Sequence, residues 1–215
     1  MTISITVADV TDILKPEHKK YEKALNDAAE AMNEILSIIN TPEFETMEGW
    51  KLKKENKMDK VFAKRFAVGK IFTLRTTLDM PREQLFFEHW DNFVETAYKN
   101  KNTSLAEKIE TLSPHVQILH VIFKFALFFF FYVRKIYHIS VIINYRGNLL
   151  LGGGRFRIHP SDSQKTIVDY IICLDFGGSD LTKPVAESIL SKLILQDVEY
   201  AHEEINKLKT NTSDN

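Results

Sequence analysis

Apolar residues recur at three- and four-residue steps in two long stretches, one near each end of the chain. The first runs from Pro16 to about Ile39, with apolar positions at Tyr21, Leu25, Ala28, Met32, Ile35 and Ile39. The second opens at Pro184, with apolar positions at Val185, Ile189, Leu193, Ala201, Ile205 and Leu208. This spacing is typical of helices that bury one side, and proline suits a first helical position. The pattern therefore predicts an N-terminal helix and a long C-terminal helix buried along Val185, Ile189 and Leu193.

Between these helices the apolar runs become shorter and favour strands. The predicted strands are Trp50–Lys54, Val61–Val68, Ile71–Leu78, Leu105–Leu112, Val116–Ile122, Arg155–Ile158 and Thr166–Asp175, with one further helix over Pro81–Tyr98. Runs of antiparallel strands with helices at the ends indicate an α+β fold. A curved antiparallel sheet wrapped around the long C-terminal helix would bury the apolar side of that helix.

Arg65 lies in a predicted hairpin that Gly69-Lys70 can turn. If Val68 faces Ile71 across the hairpin, Arg65 shares an otherwise apolar sheet face with Leu74. A register slip or a bulge would instead carry Arg65 to solvent. The pattern alone leaves both arrangements open.

The most apolar part of the chain is Phe123–Ile143. It contains four consecutive phenylalanines, Phe128 to Phe131, and is divided by Arg134-Lys135. A membrane-spanning helix needs about 20 apolar residues, and the uninterrupted run Phe125–Val133 is much shorter. The sequence therefore favours two buried strands here, with a membrane segment as the alternative.

Composition and motifs argue against several classes of function. The 28 basic and 29 acidic residues give a net charge of −1, so no global field selects nucleic acid or an acidic surface, although a local patch remains possible. No residues stand at metal-ligand or catalytic-motif spacing. Gly152-Gly153-Gly154 leads into a strand, which indicates a bend or bulge rather than a phosphate loop. We therefore expect that the protein is not an enzyme, and that it binds no metal, no cofactor and no nucleic acid.

The single cysteine, Cys173, lies within an apolar strand. This position predicts a buried and unreactive thiol, and a lone cysteine is typical of a reducing compartment. The residues from Met1 to Leu14 lack the features of a signal peptide. The expected location is therefore cytoplasmic.

Several motifs occur in an order that resembles the StAR-related lipid-transfer (START) domain family. Gly49-Trp50-Lys51-Leu52 resembles the first strand of that family, and Lys183-Pro184-Val185 the entry to its last helix. Between them, Arg146-Gly147, Gly154 and Phe156-Arg157-Ile158-His159-Pro160 resemble its strand pair, and Asp169–Gly178 its next strand and turn. The likeness extends from about Trp50 to Leu208, and the Pro16–Ile39 helix corresponds to the N-terminal helix of the family. It departs between His120 and Arg146, where family members carry an Arg-Asp-Phe strand, so a sterol-type charged pair cannot be transferred to this chain.

The resemblance implies a helix-grip fold and the binding of one apolar ligand, such as a sterol or phospholipid, in an internal cavity gated by the C-terminal helix and neighbouring loops. Transient membrane contact would accompany lipid transfer. The candidate lipid-binding residues are Arg65, Leu74, His120, Val185, Ile189 and Leu193. The expected division is an N-terminal extension over 1–15, a START-like domain over 16–209 and a disordered tail over 210–215.

Two alternative functions fit the same residues. The first is a non-catalytic interaction or regulatory module whose cavity is filled by side chains such as Phe128 to Phe131. The second is a membrane-associated protein anchored by the Phe-rich segment 123–143.

Overall fold

The structure is a computed structural model that describes residues 3–99, 103–123, 148–175 and 183–213. Nine strands and five α-helices occur in this part of the chain. The strands are β1 (Ile3–Val7), β2 (Val10–Leu14), β3 (Lys51–Glu55), β4 (Lys60–Arg65), β5 (Lys70–Leu78), β6 (Thr103–Ser113), β7 (Val116–Phe123), β8 (Asn148–His159) and β9 (Asp162–Asp175). The helices are α1 (Glu22–Ile39), preceded by a 3₁₀ turn over Pro16–Tyr21, α2 (Pro42–Thr46), α3 (Arg82–Trp90), α4 (Phe93–Lys99) and α5 (Lys183–Ser213).

The central element is an antiparallel sheet in the order β3-β4-β5-β9-β8. Alternate residues of its strands point to opposite faces. Phe72 and Leu74 of β5 pack towards α5, whereas Ile71 packs towards α1. The sheet is therefore covered by the C-terminal helix on one face and by the N-terminal helix on the other. This arrangement confirms the predicted α+β helix-grip fold, a curved antiparallel sheet around a long C-terminal helix.

The N-terminal residues are part of the packed structure. The hairpin β1–β2 turns at Ala8-Asp9 and buries Val7 and Leu14. Asp12 is buried beside His115, with 3.0 Å between Oδ1 and Nδ1. The region that the sequence indicates as an extension thus packs against α1 and the β6–β7 pair.

The register of the β4–β5 hairpin differs from the one considered above. Arg65 pairs with Lys70, and Ala63 pairs with Phe72, so four residues form the loop instead of Val68 facing Ile71. Phe66 and Gly69 close this loop through two backbone hydrogen bonds. Arg65 consequently lies at the end of the sheet, and its side chain is exposed.

The buried side of α5 is also displaced from the predicted one. Val185 and Ile189 are 62% and 54% exposed, so their predicted burial is wrong, while Leu193 is half-buried against the core. Leu190, Ile194 and Val198 supply the main buried side instead. These residues follow the same helical spacing one position further along the chain. The helix continues to Ser213, beyond the start of the predicted polar tail.

Two further sequence predictions concern the middle of the chain. The single helix predicted over Pro81–Tyr98 is divided at Asp91 into α3 and α4. The glycine run lies within β8 and pairs in regular register with Tyr170–Ile172, whereas the register shift occurs just before it, between Leu149 and Leu151. The two strands predicted in the Phe-rich segment lie outside the described residues, apart from Phe123 at the end of β7.

Candidate functional site

A cavity of about 140 Å³ lies between the inner face of the sheet and α5. We call it the sheet chamber. The sheet contributes Leu74 from β5 and Phe156 from β8, and the helix contributes Ile194 and Val198. All four side chains are buried and apolar, so the walls on both sides suit a hydrocarbon.

A second cavity of about 190 Å³ adjoins the first, and we call it the helix chamber. It lies between α3, α4 and the second half of α5. Leu85, Phe93 and Ile205 form apolar parts of its wall, while Thr103 and Tyr200 contribute hydroxyl groups. The lining is mostly apolar with a few polar groups, as is typical of small-molecule sites.

The two chambers share His89, Asp197 and Ala201 as lining residues. They therefore meet at a junction where α3 faces the middle of α5. Each chamber alone is smaller than the roughly 300–1,000 Å³ of typical ligand pockets. A ligand of lipid size would have to occupy both.

Burial favours the uncharged forms of three titratable groups that line the chambers. Desolvation lowers the pKa of His89, whose Nδ1 donates a hydrogen bond to the Leu85 carbonyl oxygen at 2.8 Å. Burial, followed by the nearby Asp197 carboxylate, raises the pKa of Tyr170. Burial and two neighbouring glutamates raise the pKa of Tyr200 to about 12. These three residues therefore offer uncharged hydrogen-bonding groups beside the carboxyl groups of Glu88, Asp197 and Glu204.

Two hydroxyl groups in the helix chamber have no hydrogen-bond partner among the described residues. They are Thr103 Oγ1 and Tyr200 Oη, and both atoms are buried. Thr103 is only 6% exposed. A buried hydroxyl that lacks a partner loses the hydrogen bonds that it would make to water. These two atoms therefore mark the place in the lining where a polar ligand group would be stabilised.

Of the residues selected from sequence, Leu74 alone lines either chamber. His120 is exposed on β7 and lies 2.9 Å from Glu107 Oε1 across the β6–β7 pair. Arg65 is exposed at the end of β4, and Val185 and Ile189 are exposed on the first turns of α5. Leu193 packs against the inner core.

The sequence analysis missed His89, Thr103 and Tyr200. Each residue lies in or beside a predicted element, but none stands in a recognisable motif. Their convergence depends on how α3 and α4 pack against α5, and no local pattern encodes that packing. The alternation along Ile71–Leu78 did identify Leu74, because strand periodicity assigns its face directly.

A cluster of charges on the opposite face of the sheet is a separate feature. Asp169 is fully buried and pairs with Arg75, Arg155 and Arg157, the last two at 2.7 and 2.9 Å. Glu45 of α2 joins the same three arginines. Arg75 and Arg155 also lie over the Phe44 ring. The cluster joins α2 to three strands, and two of its members, Arg155 and Asp169, also contribute to the wall of the sheet chamber.

Cys173 is buried on the same outer face, as predicted. Burial raises the pKa of its thiol to about 11, which opposes formation of a reactive thiolate. Within the described ranges, no three His, Cys, Asp or Glu side chains are grouped so that they could hold a metal ion. None of the helices described here combines the length and apolarity needed to cross a bilayer.

The fold and the two chambers between the sheet and α5 define a class of protein: the chain has the architecture of a StAR-related lipid-transfer domain. Human StAR-related lipid transfer protein 5 superposes with a TM-score of 0.65 over 88% of this chain and 99% of that protein, at 12% identity. Human STARD10 superposes with a TM-score of 0.60 over 85% of this chain and 81% of that one, at 14% identity. These likenesses show the fold.

One curated relative extends the likeness to sequence. The chain is 25% identical over 235 aligned positions to steroidogenic acute regulatory-like protein 1 of Caenorhabditis elegans. The match covers 99% of this chain and 90% of the relative. No protein-family model matches the chain. The relative and the two structures together confirm the resemblance to START-domain proteins that was inferred from the motifs.

Proposed function

We propose that the protein binds and transfers one lipid, held across the sheet chamber and the helix chamber, without catalysing a reaction on it. The observation that carries this proposal is the pair of adjoining chambers between the sheet and α5. Removal of apolar ligand surface from water would supply the binding free energy, at about 25 cal/mol per Å². A reducing, cytoplasmic location is part of the proposal and is supported by the lone buried cysteine.

The ligand should carry an uncharged polar group, such as a hydroxyl, at its end in the helix chamber. Thr103 and Tyr200 present hydroxyls there that have no hydrogen-bond partner among the described residues. In the part of the chain that the structure describes, the same chamber is lined by Glu88, Asp197 and Glu204 and by one lysine, Lys99. These carboxylates oppose an anionic head group. Leu74 and Ile194 would contact the hydrocarbon part in the sheet chamber.

We propose that the lipid enters the chambers when α5 moves away from the sheet. Polar contacts hold this helix to the strands: Lys70 pairs with Glu187, and Asn56 Nδ2 donates to Glu199 Oε1 at 2.8 Å. Such half-exposed and exposed contacts are weak individually. Opening of α5 must break these contacts and also expose part of its buried apolar side, such as Ile194, so we expect it to occur where lipid can cover that surface.

The direct test is mass spectrometry of organic extracts from the purified full chain, followed by calorimetric titration with dodecan-1-ol and dodecanoate. We expect a co-purified lipid and tighter binding of the alcohol. Removal of both hydroxyls by Thr103→Val and Tyr200→Phe should weaken alcohol binding roughly tenfold, since each lost hydrogen bond is worth about 0.5–1.5 kcal/mol. The matched control, Thr77→Val with Tyr98→Phe, alters an exposed threonine and an exposed tyrosine.

Two results would contradict these statements separately. An extract without lipid, combined with no binding of either amphiphile, would refute lipid binding and favour the interaction module. Equal binding of alcohol and acid, with no effect of the double variant, would refute the head-group assignment alone.

A further inference from the structure

One segment of the chain has a strong charge imbalance. Residues 51–70 contain eight basic and two acidic residues, a surplus of six positive charges. The remainder of the chain contains 20 basic and 27 acidic residues, a surplus of seven negative charges. A protein with a net charge of −1 thus concentrates its positive charge in the hairpins β3–β4 and β4–β5.

The positive side chains of this segment are exposed and mostly without acidic partners. Five of them are exposed and form no ion pair among the described residues, although Glu187 lies near Lys53: Lys51, Lys53, Lys54, Lys57 and Arg65. We call them the cationic edge, because β3 is the outermost strand of the sheet. The two acidic residues do not compensate for them. Glu55 pairs with Lys60, and Asp59 is buried beside His202.

Exposed aliphatic side chains accompany these cations. Leu52 is 49% exposed and Met58 is 69% exposed. The Lys70–Glu187 ion pair joins this edge to the first turns of α5, where Val185 and Ile189 are also exposed. Cations beside exposed aliphatic side chains suit a bilayer interface, where the charges meet lipid head groups and the aliphatic groups enter between them.

We propose that the cationic edge is the surface by which this protein docks on a bilayer rich in anionic lipids. The inference rests on the proposed function and adds the location and the charge selectivity of the membrane contact. Docking there would bring the N-terminal end of α5, the proposed gate, to the membrane. The only phenylalanines of the segment, Phe62 and Phe66, are half-buried, so it presents no exposed ring on which bases could stack. This observation favours a lipid surface over nucleic acid.

The test is sedimentation of the full chain with vesicles of phosphatidylcholine alone and with vesicles that also contain about 30% phosphatidylserine. We expect binding to the second kind only, and loss of that binding as salt shortens the Debye length. Neutralisation by Lys51→Gln, Lys53→Gln and Lys54→Gln should reduce the partition coefficient about a hundredfold, since each cation near the surface contributes about fivefold.

The matched control neutralises three exposed lysines on other elements, Lys15, Lys19 and Lys108. Both triple variants have the same net charge, so equal losses would show a global charge effect and overturn the proposal. Equal binding to both kinds of vesicle would also overturn it. Tighter binding to a single-stranded RNA, weakened by the same three substitutions, would overturn it as well.

Lysines on an edge strand also discourage strand pairing, and that role alone predicts no vesicle binding. Lipid content, measured separately, tests the proposed function without reference to docking.

Discussion

At the scale of single residues, the most deeply buried aspartate among the described residues, Asp169, also has the most ion-pair partners. Asp169 is entirely inaccessible to solvent, yet three guanidinium groups surround it. A buried carboxylate is tolerated when its hydrogen-bonding capacity is met, and removal of one member leaves the others uncompensated. The cluster therefore fixes the position of α2 relative to β5, β8 and β9.

We expect Asp169→Asn to reduce the free energy of unfolding by about 3–5 kcal/mol, because the arginines would keep their charge without the central carboxylate. Chemical denaturation measures this loss. Asp27→Asn is the control, since Asp27 pairs with Lys23 on the surface of α1, and its loss should stay below about 0.5 kcal/mol. Similar losses for the two variants would show that the cluster does not stabilise the fold.

At the scale of elements, α5 shows how the sequence identified the helix but not its orientation. The repeat predicts a helix, and the structure contains one. Apolar side chains, however, lie on more than one side of α5, so the repeat does not show which side is buried. Val185 and Ile189 fit the repeat as well as Leu190 and Ile194 do, and only packing against the sheet distinguishes the buried pair.

Ile194→Ala and Ile189→Ala test this orientation with the same chemical change at two positions of one helix. The first should cost about 2–5 kcal/mol of unfolding free energy, because Ile194 is buried at 3% exposure. The second should change it by less than about 0.5 kcal/mol, because Ile189 is 54% exposed. If the larger loss instead occurred at Ile189, the helix would be rotated relative to the structure.

The strands were predicted more completely than the site. Alternation along Ile71–Leu78 and the run Thr166–Asp175 mark β5 and β9, because strand periodicity is local. The turn between β4 and β5 was predicted with the wrong register, since several loop lengths satisfy the same hydrophobic pattern. The lining of the helix chamber comes from the consecutive elements α3, α4 and β6 and from the distant α5, so single-sequence patterns could not specify it.

At the scale of the whole molecule, the N-terminal hairpin, which lies before the START-like part of the sequence, packs against the core of that part. Leu14 packs with Leu25 of α1 and Leu112 of β6 in a small separate cluster. Val7 joins the larger cluster between α1 and the sheet. The hairpin therefore covers apolar surface on two neighbouring elements.

Deletion of residues 1–14 should lower the thermal unfolding midpoint, since it exposes this surface. A loss of about 2 kcal/mol corresponds to roughly 4–8 °C for a chain of this size. Calorimetry measures the midpoint. The control is Ile13→Ala in the intact chain, because Ile13 is 58% exposed, and its shift should remain under about 2 °C. An unchanged midpoint after deletion would show that the hairpin is dispensable.

Gly154 connects the two faces of the molecule. A Cβ atom at this position would lie 2.0 Å from the carbonyl oxygen of Asp169 and 3.2 Å from the Cα atom of Tyr170. Asp169 belongs to the charge cluster, whereas Tyr170 lines the sheet chamber. Any side chain here would move β8 away from β9 and disturb both features together. In evolutionary terms, apolar positions around the lumen can drift through compensating exchanges, but this glycine has no substitute, which makes it a sharper marker of distant relatives than the residues that would touch the ligand.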